Sequence, residues 1–116
     1  MSGLARVLED RRGGVLVAAL DGEVDASNAA EVAERLRRAL GNASTALVLD
    51  LSPTSYLDSA GISLLFRLAE ELGARQQRLV VVVPPGAPIA RTLQITGLGG
   101  AVAIHPDVDA AVAGVA

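Results

Sequence analysis

Between Thr45 and Leu72 the chain changes its hydrophobic period once, and that change restricts the fold more than any other feature. Val48 and Leu49 lie in a short unbroken apolar run, the pattern of a strand covered on both faces. Pro53 ends the ladder, because it has no backbone N–H to donate. From Ile62 onward the apolar residues return at helical spacing, at Ile62, Leu65, Phe66, Leu68, Ala69 and Leu72. A buried strand therefore passes through a polar turn into a helix that opens on Asp58-Ser59-Ala60-Gly61. Ser59 falls where the first backbone N–H groups lack partners and the macrodipole favours negative charge. Two readings of that serine follow and are compatible. Either Asp58 or Ser59 serves as the N-cap, and a phosphate on Ser59 would meet free N–H donors and a favourable dipole.

The flanking segments repeat the alternation. Leu4 to Leu8 reads as an edge strand, Asp10 to Gly14 as a turn, and Val15 to Leu20 as a second strand, so an antiparallel hairpin opens the chain. Asp21 to Asp25 reads as a polar loop. Asn28 and Glu31 have capping-box spacing ahead of a helix with Val32, Ala33, Leu36, Ala39 and Leu40 on one face, closed by Gly41. Gly73 is placed to close the central helix in the same way. Leu79 to Val83 is the most strand-like run, broken by Pro84-Pro85-Gly86. Ile89, Ala90 and Leu93 mark a third helix ending near Gly97, Ala101 to Ile104 a last strand, and Asp107 the cap of a terminal helix through Val112 and Val115. The expected order is β-β-α-β-α-β-α-β-α, an α/β fold with a mixed, mostly parallel sheet of about five strands and about four helices.

The 116 residues suit a single domain spanning 1–116, with no repeat, low-complexity tract or linker to divide it. Apolar residues make up 51% of the chain but aromatics only 2%, so the core is packed from Val, Leu, Ile and Ala. That composition lacks the exposed rings on which nucleic-acid bases stack. Net charge is -3. The basic group Arg35, Arg37 and Arg38 follows Glu31 and Glu34 at helical spacing and reads as ion-paired surface, so nucleic acid is not expected as a partner. No cysteine is present for a disulfide or thiolate metal site. The amino terminus lacks a signal-peptide core, and no apolar run approaches spanning length, so a soluble cytoplasmic protein with no membrane partner is expected.

Enzyme chemistry finds little to stand on. The one histidine, His105, follows the last strand, and the serine motif is Asp-Ser-Ala-Gly rather than Gly-x-Ser-x-Gly, so a serine hydrolase is disfavoured. Every basic residue is arginine; without lysine a Walker loop is excluded, and Gly97-Leu-Gly-Gly100 reads as a turn. Asp50 invites comparison with the acceptor aspartate of receiver domains, but their lysine is missing here. Asp21, Glu23, Asp25, Asp50 and Asp58 match no metal-binding loop and read as solvated acids. No cofactor and no metal are expected.

The stretch Leu47-Val-Leu-Asp-Leu-Ser-Pro-Thr-Ser-Tyr-Leu-Asp-Ser-Ala-Gly-Ile62 closely resembles the signature of the STAS domain family, specifically its stand-alone anti-sigma factor antagonists. That signature is a strand ending in Asp-Leu, a turn, then an apolar residue and Asp-Ser-(Ser/Ala)-Gly opening a helix. Leu20-Asp-Gly-Glu-Val-Asp25 resembles the family's Gly-Glu-(Leu/Ile)-Asp loop, and Arg91-Thr-Leu-Gln-Ile-Thr-Gly-Leu98 its Leu-x-x-x-Gly-Leu segment.

The resemblance implies a switch protein and no enzyme. Its unphosphorylated form binds an anti-sigma factor that is often itself a serine kinase, and so frees a sigma factor. The kinase phosphorylates the motif serine, here Ser59, and a PP2C-type phosphatase removes the phosphate. Asp25, Asp58, Ser59, Ala60 and Gly61 are the partner-binding residues so implied, with Gly61 letting another backbone approach closely. Family members of this kind are monomers or weak dimers. The alternative within the family is a scaffold without a phosphorylation cycle, a subunit of a stress-signalling or lipid-transport complex. Abundant Ala, Arg and Val without lysine suggest a G+C-rich bacterial source.

Overall fold

A computed structural model describes residues 5–115. The chain runs β1 (Arg6–Arg12), β2 (Val15–Val24), α1 (Ala29–Leu40), β3 (Ala46–Asp50), β4 (Thr54–Leu57), α2 (Ser59–Ala74), β5 (Arg78–Val82), α3 (Ala90–Thr96), β6 (Ala103–His105) and α4 (Val108–Val115). A single 3-10 turn at Leu98–Gly100 joins α3 to β6. The sheet order is β1-β2-β3-β5-β6; β1 and β2 pair antiparallel and the other pairs are parallel. The expected hairpin, mixed sheet and four helices are all present.

Alternation along the strands divides the core into two unequal halves. Leu16, Ala18, Leu20, Leu47, Leu49, Val81 and Val83 face the layer that holds α1, α2 and α3, meeting Val32, Leu36, Leu65, Leu68, Leu72 and Leu93. Val15, Val17, Ala46, Val48, Val80 and Val82 face the opposite way, against Ala111 of α4. Leucine dominates where several helices must be met, and smaller Val and Ala where one short helix is the cover. Period-two patterning with both faces apolar is what a central parallel strand requires.

Several boundaries differ from the sequence reading, each for a local reason. Leu4 lies outside the described residues; β1 runs on through Asp10 to Arg12, leaving Gly13-Gly14 alone as the turn, because all seven of its residues register with β2. Asp21 to Val24, read as loop, is strand. A sixth strand, β4, occupies part of the supposed polar turn and pairs parallel with this far end of β2. Thr54 is buried there, its hydroxyl donating to the Leu20 carbonyl at 2.6 Å. α2 does not stop at Gly73: it ends a residue later, and the chain turns at Gln76 with φ 59°. β6 is confined to Ala103–His105. Gly41 and Gly97 do close α1 and α3, at φ 61° and 76°, where a Cβ would be strained. Asp107 caps α4, accepting from the Ala110 N–H at 2.8 Å.

Two of the three arginines of the basic group on α1 are ion-paired, but not to the acids four residues before them on their own helix. Arg37 makes two 2.8 Å bonds to the Glu71 carboxylate and so ties α1 to α2, while Arg35 approaches Glu9 of β1. The bond from Arg37, reinforced by its charge, holds the Glu71 carboxyl below the ordinary glutamate range. A depressed value in the folded state means that the contribution is fully present above the unfolded value, about 4.3, and fades as pH falls through the folded one. Both side chains are more than a third exposed or close to it, so the pair contributes roughly 0.2–1 kcal/mol. Glu71→Gln is expected to be less stable than the parent by that amount at neutral pH. The gap begins to close as pH falls below about 4.3 and is lost once pH lies below the folded value, which paired denaturation curves across pH will read.

Candidate functional site

The register between β2 and β4 builds the site. Val24 pairs with Leu57, so the residues that follow each strand, Asp25 and Asp58, emerge side by side at one end of the sheet. The Asp58 N–H donates to the Val24 carbonyl at 3.2 Å. The side chain of Asp58 then takes two directions. Oδ1 accepts from the Ala60 and Gly61 N–H groups at 2.8 and 3.0 Å and caps α2; Oδ2 accepts from the Ala26 N–H at 3.0 Å. One carboxylate thus holds both the start of α2 and the β2–α1 loop.

Of the two possible caps, Asp58 is the one used. Ser59 occupies the first helical position, exposed, and its hydroxyl makes no hydrogen bond among the described residues. Two of the backbone donors that a phosphate there was expected to find free are therefore already occupied by Asp58.

The loop is ordered by its own acids and amides. Asp25 Oδ1 accepts from the Ser27 hydroxyl at 2.5 Å and the Ser27 N–H at 2.9 Å, which holds the Asp25 carboxyl below the usual carboxylate range. Asn28 is buried and does not form the expected capping box with Glu31. Its side chain accepts from the Asp25 N–H and donates to the Glu23 carbonyl, so it braces the loop and leaves α1 without a side-chain cap.

Gly61 is buried beneath this surface. A Cβ on it would stand 2.8 Å from the Val24 carbonyl oxygen and 3.0 Å from Leu57 Cδ2. The sequence reading has this glycine admitting another backbone, and it does so, but the backbone is the chain's own β2. Ala60 is half-buried beside Ser59.

From Ser59 a groove of about 400 Å³ runs between α1 and α2, floored by Ala29, Ala30 and Ala33 and reaching Arg37 and Arg67. Ser59, Ser63 and Arg67 follow one another at helical i, i+4 spacing along its wall, a spacing legible in the sequence. Of the remaining acids, Asp21 pairs with Arg6 at 2.6 Å, and Asp50 accepts from the Ser52 hydroxyl and N–H. No group of three acids or histidines is arranged for a metal ion among the described residues. His105 ends β6, close against Gly114 of α4 and remote in the topology from Ser59.

The STAS domain family model matches residues 7–111. The chain belongs to the STAS domain family. This STAS domain is 34% identical over 85 residues to the anti-sigma-F factor antagonist RsfB of Mycobacterium tuberculosis, covering 73% of this chain and 68% of that protein. Among solved structures it resembles an anti-sigma factor antagonist from Mycobacterium paratuberculosis, with a TM-score of 0.86 at 28% identity, covering 99% of this chain and 98% of that one. The Bacillus cell fate determinant SpoIIAA in its phosphorylated form superposes with a TM-score of 0.70 at 21% identity, covering 96% of this chain and 100% of that one, a likeness of fold alone. No helix of this STAS domain is long and apolar enough to cross a membrane among the described residues.

Proposed function

We propose that this STAS domain is an anti-sigma factor antagonist switched at Ser59. Unphosphorylated, it binds an anti-sigma factor through the surface made by Asp25, Asp58, Ser59 and Ala60, supported from below by Gly61, and so releases a sigma factor. The anti-sigma factor, acting as a serine kinase, phosphorylates Ser59; a PP2C-type phosphatase restores the binding form.

One observation carries this reading: the serine next to the helix cap is not the cap. Because Asp58 satisfies the helix amides, the Ser59 hydroxyl is spared any structural duty and stands exposed to a kinase. A serine needed as a cap would cost about 1 kcal/mol to remove or occupy. The kinship with RsfB supplies the partner class.

The test is intact-mass analysis of protein from its native cells, with peptide mapping across residues 45–75. The expected result is one phosphate on Ser59, absent from Ser59→Ala, which folds with unchanged stability because it loses no internal bond. Absence of phosphate in every growth state, with a partner stably co-purifying, overturns the switch in favour of a constitutive scaffold.

A further inference from the structure

We infer that Asp58 is a positioning residue that keeps a phosphate on Ser59 off the Ala60 and Gly61 amides and holds it next to the Asp25 loop. The inference rests on Ser59 being the phosphoacceptor. A phosphate at the start of a helix ordinarily gains backbone N–H donors and is neutralised by them. Here the Ala60 and Gly61 amides are held by an ionised carboxylate at 2.8 and 3.0 Å. The other oxygen of that same carboxylate is bonded to the Ala26 N–H, so Asp58 cannot swing away without releasing the loop.

The loop is itself braced by Asn28 and by the Asp25–Ser27 bonds, so Ala26 stays where Asp58 meets it. A phosphate on Ser59 consequently projects into solvent beside Asp25 and Asp58, and its charge stays on display. The compensating cations are distant along the groove: Arg67 lies two helical turns from Ser59, and Arg37 is engaged by Glu71. Asp58 therefore keeps the Ala60 and Gly61 amides from neutralising the charge that the modification adds.

The experiment needs no kinase. Protein carrying phosphoserine at position 59, installed during translation, is prepared as the parent and as Asp58→Asn and Asp58→Ser. Both replacements retain a good N-cap. Neither serves both sides as Asp58 does: an Asn carbonyl capping α2 leaves only an NH2 toward Ala26, and the Ser hydroxyl is too short to span both.

Phosphorus NMR titration reads the second phosphate ionisation, ordinarily near 6, and amide NMR reads Ala26, Ala60 and Gly61. In the parent, phosphate is expected to leave the Ala60 and Gly61 amide signals nearly unmoved, with its ionisation at or above that of a short phosphoserine peptide. In both variants the neutral cap yields the Ala60 and Gly61 amides to the dianionic phosphate, so both amide signals shift on phosphorylation, and the phosphate ionisation falls by about half a unit or more through these bonds and the loss of the Asp58 charge. The Ala26 amide then exchanges roughly tenfold faster. Large shifts of Ala60 and Gly61 on phosphorylation of the parent, or equal phosphate ionisation in all three proteins, overturn the inference. Such a result leaves the Ser59 mapping above untouched, so the two failures are distinguishable.

Discussion

Ser59→Asp is expected to bind the anti-sigma factor about thirtyfold more weakly than the parent, while Ser59→Ala and Ser59→Asn bind as the parent does. The surface already presents Asp25 and Asp58 side by side at the ends of the paired strands β2 and β4, and Asp25 is held ionised by Ser27. A third carboxylate raises the local negative charge just where a partner must displace water. Like charges brought together in an interface cost on the order of 2 kcal/mol or more, which corresponds to about thirtyfold. Phosphate, with about −1.5 to −2 charges, weakens binding further. Asparagine separates the causes, because it matches aspartate in shape but is neutral. If Ser59→Asn binds as weakly as Ser59→Asp, bulk and not charge operates the switch. The deficit of Ser59→Asp shrinks as salt is raised, since exposed charges are screened within about 8 Å at physiological ionic strength.

Of the contacts that set these charges beside Ser59, the sequence displays only half. The strand from Ala46 to Asp50, the helix face of Leu65, Leu68 and Leu72, and the position of Ser59 at the helix start follow from local period and from Pro53, so they are legible without the fold. Local rules reach their limit at Asp58. As an N-cap it obeys a preference that any sequence shows, but its bond to Ala26 joins residues 32 positions apart and exists only because β4 runs beside β2. β4 itself hides because a four-residue strand with Ser55 and Tyr56 exposed is too short to establish a period.

Asn28 shows a different failure. Its spacing to Glu31 fits a capping box, yet the backbone groups of Glu23 and Asp25, brought within 2.8 and 2.9 Å by the curl of the loop, take the side chain instead. Likewise Arg37 prefers Glu71 on another helix, where a forked two-bond geometry is available, to the looser 3.8 Å approach of Glu34 on its own. In each case a partner supplied by the tertiary structure outcompetes one supplied by helical spacing.

Gly61→Ala and Gly73→Ala make the same chemical change in the same helix and are expected to move stability in opposite directions. Helix propensity alone favours alanine at both sites by about 1 kcal/mol. At Gly73 the new Cβ meets nothing within 4 Å, so the gain is realised in full and the protein melts a few degrees higher. At Gly61 the Cβ is 2.8 Å from a backbone carbonyl, which cannot rotate aside as a flexible side chain does. Overpacking of this kind costs roughly 1–3 kcal/mol, and α2 must also withdraw from β2, lengthening the 3.2 Å bond from the Asp58 N–H to Val24. The same withdrawal draws Asp58 away from Ala26, for a further 1 kcal/mol or so. Summed against the propensity gain, Gly61→Ala is destabilised by about 1–3 kcal/mol, and Gly61→Val by more. Denaturant unfolding of the two alanine variants against the parent measures both signs at once. Stabilisation at Gly61 equal to that at Gly73 would mean that α2 stands off β2. The Asp25 and Asp58 carboxylates would then be free of the constraint that sets them beside Ser59. The proposed binding surface and the helix packing therefore stand on the same missing side chain.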